Sequence, residues 1–245
     1  MTSQRPSTSR RLAMLMECAN ERAAGLQKCF GVGMTTPEAN VSRQVIVGVT
    51  GHRDVSVNDQ RLVQLIEREL TRIARISRGA PLLILSGLAE GADRLVVDAA
   101  RRALGGTYWA VLPLPDALYS RDFTTAASRA EYAAFKAAAR CVVKAPIMAS
   151  RRALDAYGEP RNHQYAWSGA YIAKHAQVLI ALWDGKPARG TGGTAQVVDW
   201  FLTNRTPRSY RISRAPQIKS RERVIEELVH INPANHKVRR RARRT

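Results

Sequence analysis

Short, wholly apolar runs rich in β-branched residues recur along the chain, and each is followed by a small-residue turn and then a stretch of helical periodicity. Val45-Ile46-Val47-Gly48-Val49 is the first such run, Pro81-Leu82-Leu83-Ile84-Leu85 the second, and Val178-Leu179-Ile180-Ala181-Leu182-Trp183 another. Strands covered on both faces by helices have this character, because neither side of the pleat meets water. Between the first two runs, Leu62, Leu65, Ile66, Leu70, Ile73 and Ile76 recur at three- and four-residue intervals among Arg and Glu, which predicts an amphipathic helix. Further helices are expected over residues 94–104, closed by Gly105-Gly106, and over 128–140, 161–175 and 193–204. Additional strands are expected over 108–114 and 141–143. Repeated strand–turn–helix order dictates a parallel sheet with crossover helices on both faces. The expected fold class is therefore α/β: a Rossmann-like, doubly wound, mostly parallel sheet in three α/β/α layers. Residues 44–204 form this domain. Residues 1–43 read as an N-terminal extension with a short helix over 9–26, and residues 205–245 as a basic C-terminal tail.

In an open parallel sheet, ligands bind beyond the carboxyl ends of the strands, where strand order reverses. Three strand ends run into small-residue loops: Thr50-Gly51-His52-Arg53, Ser86-Gly87-Leu88-Ala89-Glu90-Gly91-Ala92-Asp93, and Gly190-Thr191-Gly192-Gly193-Thr194. The topology expected here places all three on one sheet edge. The third loop opens a helix, so its glycines let the backbone approach an anion while the helix start offers unpaired N–H groups. Thr191 and Thr194 add hydroxyls. The Gly-Lys-Ser/Thr ending of a P-loop is missing. In the second loop, Ser86 and Gly87 stand at the strand end. Gly91 opens the next helix, for which Asp93 is a candidate N-cap, and Glu90 is placed either to meet a ribose hydroxyl or to stay solvated. Arg53 is placed to grip phosphate bidentately or to pair with Asp54 or another carboxylate. His52 reads as a structural hydrogen-bonder ahead of a catalyst. Asp184, in Trp183-Asp184-Gly185, either holds a ribose or closes a turn. Tyr119 is placed to stack on a base, and Phe123 to pack in the core.

Taken together, Val49-Thr50-Gly51-His52-Arg53, Leu85-Ser86-Gly87 with Ala89-Glu90-Gly91-Ala92-Asp93, and Leu182-Trp183-Asp184-Gly185 with Gly190-Thr191-Gly192-Gly193-Thr194 resemble the SMF/DprA–LOG superfamily, called SLOG. The resemblance covers roughly residues 44–204. It implies a Rossmann-like domain that binds nucleotides or nucleotide-derived signals, in some members as a sensor in bacterial stress or defence systems. A LOG-like branch hydrolyses the N-glycosidic bond of nucleoside monophosphates, and a DprA-like branch binds single-stranded DNA. Carried over, Gly192, Gly193 and Thr194 would cradle phosphate while Gly51, Ser86 and Gly87 line the pocket. The enzymatic branch carries a Glu one turn into the helix where this chain has Gln196, and an amide does not ionise to serve as a general base. Glu90 and Asp184 are then the candidate catalytic acids. A sensor without an effector module of its own needs an effector protein, and a homo-oligomer is expected.

Charge is unevenly spread. Of 39 Lys and Arg against 20 Asp and Glu, residues 205–245 hold thirteen against three, so about half of the net +19 sits there. Residues 221–230 read as a short helix, with Val224, Ile225 and Leu228 as its stripe. The run Lys237-Val238-Arg239-Arg240-Arg241-Ala242-Arg243-Arg244 reads as an interaction tail for nucleic acid or acidic partners. Three scattered cysteines without a paired motif argue against a disulfide scaffold and for a cytoplasmic setting. No metal-ligand pattern occurs, no apolar run reaches the ~20 residues of a membrane span, and no cofactor is called for beyond the nucleotide-like ligand.

Overall fold

A computed structural model describes residues 40–187, 191–222 and 226–244, with backbone alone for 40–42. The helix expected over residues 9–26 and the candidate Gly190 lie outside the described residues. Strand β1 (Asn40–Ser42) is followed by β2 (Val45–Gly51), α1 (Gln60–Ile76), β3 (Leu82–Ser86), α2 (Ala92–Leu104), β4 (Thr107–Leu112), α3 (Asp116–Tyr119), α4 (Ala126–Ala138) and β5 (Cys141–Lys144). Then come α5 (Arg151–Asp155), α6 (Glu159–His175), β6 (Val178–Leu182), α7 (Thr194–Thr203), β7 (Ile218–Ser220), β8 (Glu227–Ile231) and β9 (Val238–Ala242).

Seven strands form one sheet in the order β5-β4-β3-β2-β6-β8-β9, while β1 and β7 pair separately in parallel. All neighbours in the large sheet are parallel except β9, which runs antiparallel to β8. From β2 the chain steps outward through β3, β4 and β5, then returns to place β6 on the other flank of β2. That reversal opens a crevice at the carboxyl end of β2.

Within β2 every residue from Val45 to Val49 is buried, yet the period of two still sorts them. Val45, Val47 and Val49 join the core under α1, α2 and α4, whereas Ile46 faces α6 and α7. The expected doubly wound, three-layer α/β architecture is what the chain adopts. Local signals set the helix ends. Asp59 caps α1 by accepting the Leu62 N–H at 3.0 Å, and Gly105 ends α2 in the left-handed region. No helix of the described residues is long and apolar enough to cross a membrane.

Two expectations for the C-terminal segment are corrected. Glu227–Ile231 is a strand rather than part of a helix, paired in parallel with β6, and its Leu228, Val229 and Ile231 are buried. The basic run is no free tail: Val238–Ala242 is the antiparallel edge strand. Arg240 forks onto Glu69 of α1, with Nε 2.9 Å from Oε2, and Glu69 also accepts from Arg72 Nε at 2.8 Å. Arg72 in turn pairs with Glu227 at the start of β8. Within the run that reads as an interaction tail, Arg240 therefore ties the last strand to the first helix.

Candidate functional site

A pocket of about 540 Å³ opens in the crevice. Gly51 and Arg53 reach it from the end of β2, Gly87 and Ala89 from the turn after β3, Asp93 from α2, and Pro113 from the end of β4. Helix α6 contributes Asn162, Tyr165 and Ser168, and Thr191, Gly192, Gly193 and Thr194 close the wall before α7. The three glycine loops expected on one sheet edge thus meet: Gly51, Arg53, Gly87, Thr191, Gly192, Gly193 and Thr194 line a single pocket. His52, Ser86, Glu90, Gly91 and Asp184 do not line it, and Gly190 is outside the described residues.

The third loop owes its shape to Gly192. Its φ is +85°, and a Cβ there would stand 2.8 Å from the Ala166 backbone nitrogen. The Gly192 N–H donates to Gln196 Oε1 at 2.7 Å, so the amide found where the enzymatic branch has Glu braces the loop from inside α7. Gly193 is the N-cap of α7 and makes no side-chain cap bond. The N–H groups of Gly193, Thr194 and Ala195 have no acceptor among the described residues, as the first turn of a helix dictates. They are donors at the positive end of the helix dipole. The Thr191 hydroxyl donates to Glu159 at 3.2 Å.

The candidates outside the pocket have structural partners. Gly91 has a φ of +70°, and a Cβ there would come within 2.4 Å of the Arg53 carbonyl oxygen; its glycine lets the first two loops touch. Ser86 Oγ accepts the Leu88 N–H at 3.1 Å. Glu90 accepts from the Ser128 hydroxyl and faces an adjoining cavity of about 390 Å³, shared with Arg94 and Glu131. Asp184 accepts the Lys186 N–H at 3.0 Å, which together with the Lys186 ammonium and His52 holds its carboxyl below the ordinary range. His52 Nε2 stands 3.7 Å from Asp184 Oδ1. The ribose expected at Glu90 or Asp184 therefore has neither acid within this pocket.

Asp93 is the acid that lines the pocket, and Asp122 lies buried behind it. Asp93 is not the N-cap of α2, a position held by Gly91. Its carboxylate turns back to accept the Ala89 N–H at 3.2 Å, and burial pushes its pKa up to about 6 against the pull of that N–H and of Arg53 and Arg94. Asp122 is buried. It pairs with Arg161, accepts from the Tyr165 hydroxyl and from Tyr157 at 3.2 Å, and lies 3.6 Å from Arg53. Arg53 also sits over the Tyr165 ring, 5.2 Å from its centroid. Of the two readings for Arg53, the carboxylate pair exists, with Asp122 rather than Asp54, and the side chain still lines the pocket. Tyr119 does not stand free to stack: it is 1% exposed and donates to the Gly87 carbonyl oxygen at 2.9 Å, packed edge-on against the buried Phe123. Asn162, Tyr165 and Gly169 recur at i, i+3 and i+7 with Ser168 beside them, on the one face of α6 that lines the pocket. That spacing was the available signal for this wall. Among the described residues no group of three or more His, Cys, Asp or Glu is placed to hold a metal ion.

Fold and crevice define a doubly wound α/β protein with a ligand-sized pocket at the switch point of its sheet. Among solved structures, the chain is similar to DNA processing protein A (DprA) from Streptococcus pneumoniae, at 16% identity and a TM-score of 0.40, over 72% of this chain and 50% of that one. The chain spans about half the length of that protein. No protein-family model matches the chain, and no curated protein matches it.

Proposed function

We propose that the chain binds a nucleotide or nucleotide-derived ligand in this pocket, as a SLOG-type sensor that signals through a partner protein. The observation that carries the reading is the convergence of Gly51, Gly87 and residues 191–194 on one cavity that also holds Arg53. The N–H groups at the start of α7, which have no acceptor among the described residues, and the Arg53 guanidinium supply directional donors and positive charge for phosphate. The volume lies within the range of small-ligand pockets. Calorimetry with mononucleotides, cyclic nucleotides and ADP-ribose tests it: at least one binds the folded protein, and Arg53→Ala weakens that binding. Silence across the whole panel overturns the reading. A LOG-like hydrolase is less favoured, since neither Glu90 nor Asp184 lines the pocket.

A second reading, nucleic-acid binding, is favoured by the edge strand. Lys237, Arg239, Arg241 and Arg244 form no ion pair among the described residues, whereas Arg240 and Arg243 are paired to Glu69 and Glu226. Arg239 and Arg241 project from one face of β9 about 6.8 Å apart. Anisotropy of labelled single-stranded DNA across a salt series would then show affinity falling steeply with salt, and Arg239→Ala with Arg241→Ala would shallow the slope by about 1.4. Salt-independent binding, or a slope the double variant leaves alone, sinks this second reading.

A further inference from the structure

The floor of the pocket differs in chemistry from its phosphate-facing wall. A Cβ built on Gly87 would stand 3.0 Å from Asp93 Oδ2 and 3.8 Å from both Ser168 Oγ and the Val111 carbonyl oxygen. Gly87 is not among the residues with positive φ, so conformation does not demand glycine here; what the missing side chain leaves is room among three oxygens. The Ser168 hydroxyl spends its proton on the Val111 carbonyl at 2.7 Å, so its oxygen faces the notch as an acceptor. Asp93 is 8% exposed and Ser168 5% exposed, and both line the pocket. With a pKa of about 6, Asp93 is largely ionised at neutral pH and then offers acceptors alone. A notch of acceptors repels phosphate and is satisfied by donors, and the vicinal hydroxyls of a ribose are two donors on adjacent carbons.

We propose that Asp93 and Ser168, facing each other across Gly87, form a ribose-hydroxyl subsite that makes the pocket selective for ribonucleotides over their deoxy counterparts. The proposal rests on the phosphate-binding reading above. It divides the pocket by charge, with donors at the start of α7 and at Arg53 for the phosphate and acceptors over Gly87 for the sugar.

Calorimetry on the full chain with ADP, 2′-deoxy-ADP, 3′-deoxy-ADP and inorganic pyrophosphate separates the two claims. ADP is expected to bind about tenfold more tightly than at least one deoxy analogue, the worth of a hydrogen bond to a charged acceptor. Asp93→Asn keeps an oxygen for the Ala89 N–H but removes the charge. It should bring ADP close to the deoxy analogues while pyrophosphate binds at least as tightly as before, a negative charge having left the pocket. Gly87→Ala fills the notch and should erase the advantage of ADP over its deoxy forms without touching Asp93. Equal affinities for ADP and both deoxy analogues in the wild type, with pyrophosphate still bound, overturn the ribose subsite and leave the phosphate site standing. Discrimination that survives in both folded variants overturns it as well. If neither pyrophosphate nor ADP binds, the ribose subsite is overturned, while the phosphate reading stands or falls with the nucleotide panel above.

Discussion

At the scale of single residues, Gly192 and Asp93 carry the most consequence. Gly192 holds a left-handed conformation, and a Cβ there would press on the Ala166 backbone. Gly192→Ala is therefore expected to cost about 1–3 kcal/mol, read as a lower urea midpoint, and to weaken ligand binding by displacing the N–H groups of α7. Asp93 leads to a pH effect. Its folded-state pKa lies above the ordinary carboxylate value, at about 6, so the folded state holds the proton more tightly than the unfolded chain does. Its favourable contribution is complete below the unfolded pKa of about 3.9 and is lost as pH rises through about 6. Urea titrations of the wild type and Asp93→Asn across this window should diverge, the wild type losing about 2–3 kcal/mol relative to the variant. Parallel curves would show that Asp93 is solvated as an ordinary acid. Asp93 was visible in the sequence as a cap candidate. Its inward turn depends on the Ala89 N–H across a tight loop, which spacing alone does not reveal.

At the scale of elements, the pocket depends on how closely α6 and α7 approach. Gly169 on α6 makes the room, since a Cβ there would stand 2.5 Å from Val197 Cγ2 on α7. Gly169→Ala should push α7 outward, at a cost of about 1–3 kcal/mol for overpacking, and lower ligand affinity in step. A thermal melt paired with calorimetry checks both; a variant as stable and as tight-binding as the wild type would show that the helices slide freely. Most elements were legible because their signals are local: continuous β-branched runs, helical stripes, and caps at Asp59 and Gly105. The helix expected over residues 221–230 rests on Val224, Ile225 and Leu228, which fit a helical stripe, and it fails at Glu227–Ile231. What decides for a strand at Glu227–Ile231 is the open edge of β6, which offers backbone partners to Leu228, Val229 and Ile231. Those partners lie some fifty residues away in sequence, beyond the reach of a local window.

At the scale of the whole molecule, the last strands belong to the sheet. Ending the chain after Asn204 would bare β6 along one edge and remove the buried Leu228, Val229 and Ile231, whose burial contributes roughly 1.5–3 kcal/mol each. That sum is comparable to the stability of an ordinary domain. The shortened chain is expected to lose its cooperative thermal transition, whereas removal of a free tail would leave the melt unchanged. Point substitutions at Arg239 and Arg241 are accordingly the sound test of nucleic-acid binding. The sequence by itself determined the α/β class, the alternation of strands and helices, and the three glycine loops at one sheet edge, because periodicity, glycine and caps act within a few residues. Only the tertiary structure decided which side chains enter the pocket. It turned Glu90 and Asp184 away, brought in Asp93, Tyr165 and Ser168, and tied Arg240 to Glu69. Such meetings depend on crossovers and on strand order, which join residues far apart in sequence that no local pattern connects.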